Sequence, residues 1–190
     1  MNAQSDGVEV SGEEASLRVW TVGHSTRSAD AFNSILLAHQ IGSLIDVRSF
    51  PGSRRYPQFN KLELKQNLAT AGILYEHVPE LGGRRRPSKD SKNTAWQNPS
   101  FRAYADHTES AEFEKGINEL LGVARAQPTV VMCAEALWWR CHRSLIADFL
   151  KAQGVEVIHI IDDRKTEVHP YTSVARIVDG RLSYEGLLPS

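Results

Sequence analysis

The stretch that decides the fold is VVMCAEALWWRCHR, which runs from Val130 to Arg143. Its apolar beginning predicts a buried strand, and the amphipathic segment from Ser144 to Gln153 predicts a helix. The loop between them carries two thiols, a carboxylate, an imidazole, two guanidinium groups and two indoles. Ligands of α/β domains bind at the loops that leave the carboxyl ends of strands. We therefore expect this strand, loop and helix to hold functional side chains.

The alternation of strand and helix continues along the chain. Short β-prone runs at 17–22, 44–47, 73–78, 129–132 and 155–161 alternate with helical periodicity at 28–39, 60–71, 109–126 and 141–153. This order is typical of a mainly parallel sheet covered by helices. The predicted fold is therefore α/β, a Rossmann-like three-layer sandwich. Residues 84–100 are predicted to form a long loop, and Asp179-Gly180 a hairpin turn.

Length and composition predict one soluble domain. The polar, acidic residues 1–16 lack a signal-peptide pattern and are expected to be a disordered leader, followed by a single α/β domain at 17–190. No apolar run approaches the roughly 18 residues needed to span a bilayer. A cytoplasmic location is the default expectation, in which Cys133 and Cys141 are reduced thiols rather than a structural disulfide.

The basic residues are unevenly distributed, although the formal net charge is only −1. Between Arg48 and Arg86 there are eight Lys or Arg residues and three Glu residues. Such a basic stretch in a neutral protein suggests a site for an anion, such as phosphate, nucleic acid or a carboxylate. A solvated charged face is the alternative interpretation.

Four motifs follow predicted strands: Gly23-His24-Ser25, Asp46-Val47-Arg48, Pro79 to Gly83, and Cys133-Ala134-Glu135. The carboxyl ends of parallel strands share one edge of a sheet. We therefore expect these four loops to converge on one cleft.

These motifs carry a resemblance to a known family. The pieces TVGHSTR from Thr21, IDVRSFPGSRRYPQFN from Ile45, LYEHVPELGGRR from Leu74 and MCAE…CHRSLIADFL from Met132 resemble the family called domain of unknown function 488. The resemblance implies a compact, soluble α/β domain of bacterial or archaeal type, and it implies little about activity. Residues 88–96 are longer than the pattern suggests and are expected to be an insertion.

A nucleic-acid interpretation uses the largest number of these residues. The candidate phosphate ligands are the guanidinium groups of Arg48, Arg54, Arg55, Arg84, Arg85 and Arg143. Ser25, Cys141 and His142 are further candidates, since the predicted start of a helix near Cys141 offers free N–H groups to an anion. The candidates for base stacking are Phe59, Tyr75, Trp138 and Trp139, with one of the two adjacent indoles expected in the core.

The candidate catalytic groups are Asp46, Glu135, His24 and Cys133. The two carboxylates could activate water or stabilise a cationic transition state, as cleavage of a glycosidic bond requires. His24 is either a general base or a structural histidine. We therefore expect an enzyme that acts on nucleic acid or a nucleotide, with N-glycosidic hydrolysis of the base-excision type as the leading chemistry. No cofactor, metal or membrane partner is predicted.

Other function classes stay open. A non-catalytic module would bind a nucleotide or nucleic acid in the same basic cleft. A Cys-dependent hydrolase would use Cys133 as nucleophile, although its loop to Arg140 is bulky and lacks glycine, unlike a phosphate cradle. A metal site at Cys133, Cys141 and His142 lacks CxxC spacing. A redox pair of the two cysteines is disfavoured by spacing and compartment.

Overall fold

The computed structural model describes residues 16–186. The predicted disordered leader, residues 1–16, lies outside this range apart from its last residue. None of the helices in the described range is long and apolar enough to cross a membrane.

Within this range the chain forms five α-helices and eight strands. The helices are α1 (Ala29–Ala38), α2 (Lys61–Thr70), α3 (Pro99–His107), α4 (Ala111–Ala126) and α5 (Arg143–Ala152). The strands are β1 (Arg18–Gly23), β2 (Ser43–Asp46), β3 (Leu74–His77), β4 (Thr129–Cys133), β5 (Glu156–Ile160), β6 (Thr166–Val168), β7 (Arg176–Val178) and β8 (Arg181–Ser183).

The central sheet has the strand order β3-β2-β4-β1-β5-β6. Strands β1 to β5 are parallel, and β6 pairs antiparallel with β5 at one edge. The predicted α/β class with a mainly parallel sheet is confirmed. The strand order differs from the 3-2-1-4-5-6 order of dinucleotide-binding folds, so the likeness to them lies in the layers and not in the order of strands.

Helices cover both faces of the sheet. Phe32 of α1 and Leu64 of α2 pack in one core, and Phe113 of α4 and Leu145 of α5 pack in the other. Neighbouring β4 residues point to opposite cores, because side chains alternate along a strand. Burial on both faces explains why the strands read as nearly continuous apolar runs.

The helix boundaries follow from local capping. The side chain of Ser28 accepts a hydrogen bond from the Ala31 N–H at 3.2 Å, as its sequence position predicts. Asn60 stands at the predicted start of α2, but its side chain instead accepts from the Ser53 N–H at 2.7 Å and holds the preceding loop. Helix α3 was not predicted, although Asn98 caps it and Pro99 begins it.

The direction of the chain connections reverses between β1 and β4. These strands are neighbours, but the chain leaves β1 toward β2 on one side and leaves β4 toward β5 on the other. The connecting helices α1 and α5 pack on opposite faces. Such a reversal is where α/β sheets bind ligands.

The hairpin β7–β8 turns at Asp179 and Gly180, as predicted. Both residues have positive φ values, of 48° and 76°, which a two-residue turn of this kind requires.

Candidate functional site

The predicted convergence of the strand-end loops is confirmed. The His24 N–H donates to the Cys133 carbonyl at 3.0 Å, and the Ser25 N–H donates to the Ala134 carbonyl at 3.0 Å. The Val47 N–H likewise donates to the Met132 carbonyl at 3.0 Å. Backbone hydrogen bonds therefore hold the ends of β1, β2 and β4 together. We call these three joined strand ends the platform.

Two thiols meet on this platform. Cys133 ends β4, Cys141 precedes α5, and their sulfur atoms lie 3.0 Å apart with both cysteines free. A short 3₁₀ turn at Trp138–Arg140 folds the intervening loop back on itself. The spacing alone does not favour a redox pair, but the seven residues between the two cysteines fold back and bring the sulfur atoms together.

Arg143 bridges the two thiols. Its guanidinium is buried, and Nε donates to the Cys133 Sγ at 3.0 Å and to the Cys141 Sγ at 3.3 Å. The remaining nitrogens donate to the Glu135 carbonyl, to the Ala136 carbonyl and to the Thr21 hydroxyl. The predicted phosphate ligand Arg143 is thus committed to sulfur and backbone, and it supplies a fixed positive charge beside the thiols.

The two thiols have opposite acidities. Burial disfavours ionisation of Cys141, but the hydrogen bond from the Cys133 thiol and the charge of Arg143 outweigh it, so the pKa of Cys141 is well below its usual value. Burial and the hydrogen bond to Cys141 raise the pKa of Cys133. The Arg143 N–H, at the start of α5, also donates to the Cys141 Sγ at 3.4 Å. Cys141 is therefore the more acidic thiol of the pair.

Cys141 opens to solvent through two adjoining cavities of about 210 and 270 Å³. Arg84, Cys141 and His142 line both of them. The further lining residues used below are Phe101, Tyr104 and Arg140 in the first cavity, and Arg48, Phe50, Cys133 and Glu135 in the second. Three arginines and one carboxylate thus border the cavities, which suits an anionic ligand.

The structure contradicts a catalytic role for Asp46. Its carboxylate has no solvent exposure and is held by Arg48, with Nε to Oδ1 at 2.8 Å and an Nη to Oδ2 at 2.6 Å. The Tyr75 hydroxyl donates to the same Oδ2 at 2.8 Å. Asp46 cannot reach substrate, and the predicted stacking residue Tyr75 serves as its partner.

His24 has the structural role of its two predicted alternatives. It is buried, its Nδ1–H donates to the Ser25 carbonyl at 2.9 Å, and its Nε2 accepts from Arg48 at 3.3 Å. Burial, opposed by the bond to Ser25, lowers the pKa of His24 to about 4. Its ring stacks on Phe59 at 4.1 Å between centroids. Phe59 is itself fully buried, so its predicted stacking on a nucleic-acid base is wrong.

Other predicted residues lie in the core, on the exposed surface or in a tight turn. Trp138 is buried and stacks on His159, whereas Trp139 is half exposed, as expected for one indole of the pair. Arg54 and Arg55 are exposed and line neither cavity. Ser25 occupies a tight turn with a φ of 52°.

His142 and Arg84 do border the site. The Nε2–H of His142 donates to the Val47 carbonyl at 3.2 Å, and burial lowers the pKa of His142, so the ring is neutral. Arg84 is exposed, and its guanidinium lies 5.4 Å from the centre of the Phe50 ring. No group of three or more His, Cys, Asp or Glu side chains in residues 16–186 is arranged to hold a metal ion.

Several site residues were missed from the sequence. Phe50 and Arg140 border the cavities from loops, and Phe101 and Tyr104 do so from the unpredicted α3. The pair Asn98-Pro99 is a signal for the start of a helix. Together with the aromatic residues that follow, it would have identified α3 as a helix that contributes to the site. No local signal marks Phe50.

Comparison with known proteins gives a family and no function. No curated protein and no solved structure matches the chain. The family model described as "Domain of unknown function DUF488" matches residues 28–150. This match takes in β2, β3 and β4, both thiols and Arg143. The chain therefore belongs to the DUF488 family, and its thiol site lies within the part that the family model covers.

Proposed function

We propose that this chain is a thiol–disulfide oxidoreductase in which Cys141 is the nucleophile and Cys133 the resolving thiol. The observation that carries the proposal is the 3.0 Å separation of the two sulfur atoms beside the buried Arg143. A hydrolase needs one nucleophile, and a second thiol within bonding reach adds nothing to it. A pair of thiols of unequal acidity is what thiol–disulfide exchange requires.

In the first step the Cys141 thiolate attacks one sulfur of a disulfide substrate. A bond forms between Cys141 and that half of the substrate, and the other half leaves as a thiolate. The leaving thiolate takes the proton of Cys133, which until then donates it to Cys141. The negative charge thus passes from Cys141 to Cys133. Both sulfur atoms contact Arg143, whose Nε lies 3.0 Å from the Cys133 Sγ.

In the second step the Cys133 thiolate attacks the Cys141 sulfur. A disulfide forms between the two cysteines, and the second half of the substrate leaves as a thiolate that takes a proton from water. The substrate disulfide has gained two electrons, and the two cysteines have lost them. A low-molecular-weight thiol or another dithiol restores the reduced pair.

The cavities favour an anionic disulfide. Arg84 and Arg140 are exposed beside Cys141, and Glu135 is the one carboxylate among the residues that line the two cavities. Phe50 is 71% exposed next to Arg84 and offers an apolar surface to the same ligand. Dithiobis(nitrobenzoate), an anionic aromatic disulfide, is therefore a suitable probe.

The test follows release of the coloured thiolate from this probe by the full chain. The wild-type protein should release two equivalents per molecule and end with a Cys133–Cys141 disulfide in the peptide map. Cys133→Ser should release one equivalent and retain the mixed disulfide on Cys141. Cys141→Ser should react slowly, since the remaining thiol is buried and protonated.

Two results would overturn the proposal. One is a Cys141→Ser variant that reacts as fast as the wild-type protein. The other is a wild-type product that carries stable mixed disulfides and no bond between the two cysteines.

An enzyme of nucleic acid or nucleotides is the second candidate, supported by the exposed groups of the second cavity. With Asp46 bound to Arg48, Glu135 is the carboxylate left for N-glycosidic chemistry. Phe50, Arg84 and the half-exposed Trp139 are groups that stack on bases or bind phosphate. Release of a free base from DNA or RNA that is lost in Glu135→Gln and kept in Cys141→Ser would support this candidate over the first. Polymer binding without any release of base would instead support a binding module.

A further inference from the structure

A line of buried polar side chains leads away from Arg143 on the side opposite the cavities. Thr21 and Asp148 have no solvent exposure, and His159 and His169 are each 1% exposed. The Thr21 hydroxyl lies 3.4 Å from an Nη of Arg143 and 2.7 Å from Nδ1 of His159. Nε2 of His159 lies 2.8 Å from Nδ1 of His169, and Nε2 of His169 lies 3.0 Å from Oδ1 of Asp148.

Three elements align these side chains. Thr21 of β1 and His159 of β5 are register partners, so their side chains leave the same face of the sheet. His169 follows β6 and is fixed by its own N–H, which donates to the Val157 carbonyl at 2.8 Å. Asp148 lies in α5, the helix that begins at Arg143. Arg143 and Asp148, the two ends of the line, therefore both lie in α5, and side chains from the sheet and from His169 connect them.

The two ends set the direction of the terminal hydrogen bonds. Arg143 can only donate, and the Asp148 carboxylate accepts from His169, the Tyr184 hydroxyl, and the N–H and hydroxyl of Thr172. Arg143 therefore donates to Thr21, and His169 donates to Asp148. His159 lies between them and, as a neutral imidazole, donates one of its two hydrogen bonds and accepts the other. Burial lowers the pKa of His159 to about 2, in agreement with that state.

The line is closed to water by the loop that carries the thiols. The Trp138 ring stacks on His159 at 4.2 Å with an interplanar angle of 7°, and it meets the His169 ring edge-on at 5.1 Å. A buried polar chain in which every side chain is paired is rigid.

We propose that Thr21, His159, His169 and Asp148 form a positioning relay that holds the Arg143 guanidinium against both sulfur atoms. This role rests on the proposed thiol function, because the position of Arg143 affects activity only if the Cys141 thiolate is the reacting group. An Arg143 held in place favours the Cys141 thiolate, and an Arg143 that has lost its bond to Thr21 is freer to rotate away from the sulfur atoms and favours it less. None of the four relay residues touches a cavity.

The groups that face Cys141 define what the test must keep constant. They are Cys133 from β4, Arg143 from α5, Tyr104 from α3, and His142, Arg48, Arg84, Arg140 and Glu135 from loops. Thr21→Val alters none of them. It also changes no charge, and it replaces a hydroxyl by a methyl group of similar size.

The test is the pH profile of Cys141 alkylation by iodoacetamide, measured on the full chain by peptide mass spectrometry. Thr21→Val should slow alkylation near neutral pH by roughly three- to tenfold, the value of one hydrogen bond, and should move the midpoint to higher pH. The rates should converge in alkali, where the thiolate is fully formed in both proteins. Thr21→Ser keeps the hydroxyl and should restore the wild-type midpoint.

Thr129→Val is the matched control. Thr129 is a fully buried threonine of the neighbouring strand β4, but its hydroxyl donates to the Gln127 carbonyl outside the relay. If Thr21→Val does not fold, His159→Leu against His159→Gln repeats the comparison, since Gln keeps one donor and one acceptor. If a variant that lacks a relay hydrogen bond shows the wild-type pH profile of Cys141 alkylation, the proposal is overturned. A wild-type Cys141 that reacts no faster than an unperturbed thiol contradicts the proposed function instead.

Discussion

Two carboxylates that follow buried strands have opposite surroundings. Asp46 is sealed beneath the platform with Arg48 and Tyr75, whereas the Glu135 side chain is exposed at the second cavity. Ligands cannot reach the first, and the second has no protein partner to hold it. Of the two carboxylates, only that of Glu135 is therefore accessible to a ligand.

Asp46→Asn tests this assignment through stability. Removing one partner of a buried ion pair leaves the other charge buried without a partner, so we expect the free energy of unfolding to fall by about 3 kcal/mol or more. Urea denaturation measures the change, and Asp163→Asn is the control because Asp163 pairs with Arg164 in solvent. The thiol reactivity per folded molecule should stay unchanged. Full stability together with lost turnover would restore Asp46 as a catalytic group.

At the scale of elements, the loop from β4 to α5 depends on a close approach to β1. A Cβ atom on Gly23 would lie 1.9 Å from the Glu135 carbonyl oxygen, so only glycine lets the loop pack there. The same carbonyl accepts a hydrogen bond from Arg143. The end of β1 therefore sets the position of the loop that carries the thiol site.

Gly23→Ala should disturb both stability and reactivity. The contact is with backbone, which must move, and overpacking of this kind costs about 1–3 kcal/mol. The displaced carbonyl also releases Arg143, so Cys141 alkylation near neutral pH should slow. Gly122→Ala in α4 is the control, since its Cβ would meet nothing within 4 Å. That substitution should be neutral or stabilising by up to about 1 kcal/mol. Equal effects of the two substitutions would contradict the role of Gly23.

At the scale of the whole molecule, burial makes several histidines resist protonation. His24, His107, His142 and His159 all have pKa values below 6.5, chiefly because burial disfavours the charged ring. The unfolded chain binds protons at these positions as pH falls through 6.5, and the folded chain does not. Stability is therefore present above that pH and is lost as the pH falls below it.

The contribution of His24 can be measured separately. Its pKa of about 4 in the fold, against 6.5 in the unfolded chain, gives a loss on the order of 3 kcal/mol across this interval. His24→Gln keeps a donor for the Ser25 carbonyl and an acceptor for Arg48 but does not titrate. Its stability, measured by urea denaturation from pH 6.5 to 4, should fall less than that of the wild-type protein. Parallel curves would show that His24 titrates normally in the fold.

Much of the architecture could be predicted from local pattern. Short apolar runs and helical spacing identify β1 to β5 and four of the helices, and Ser28 and Asp179-Gly180 mark a cap and a turn. The missed elements are α3 and β6. Helix α3 follows a long polar stretch typical of a loop, although Asn98 and Pro99 mark its start, and β6 has three residues. Strand order could not be predicted, because it depends on long-range pairing of strands that are alike in composition.

The sequence by itself determined the alternation of strand and helix, the common edge of the strand-end loops and the stretch that carries both thiols. These follow from periodicity and from the parallel sheet that periodicity implies. Only the tertiary structure decided which polar groups meet: Cys133 with Cys141, Asp46 with Arg48, and Thr21 with His159. The physical reason is that burial and pairing depend on the register of β1 with β5 and on the path of one folded-back loop. No local pattern encodes either feature.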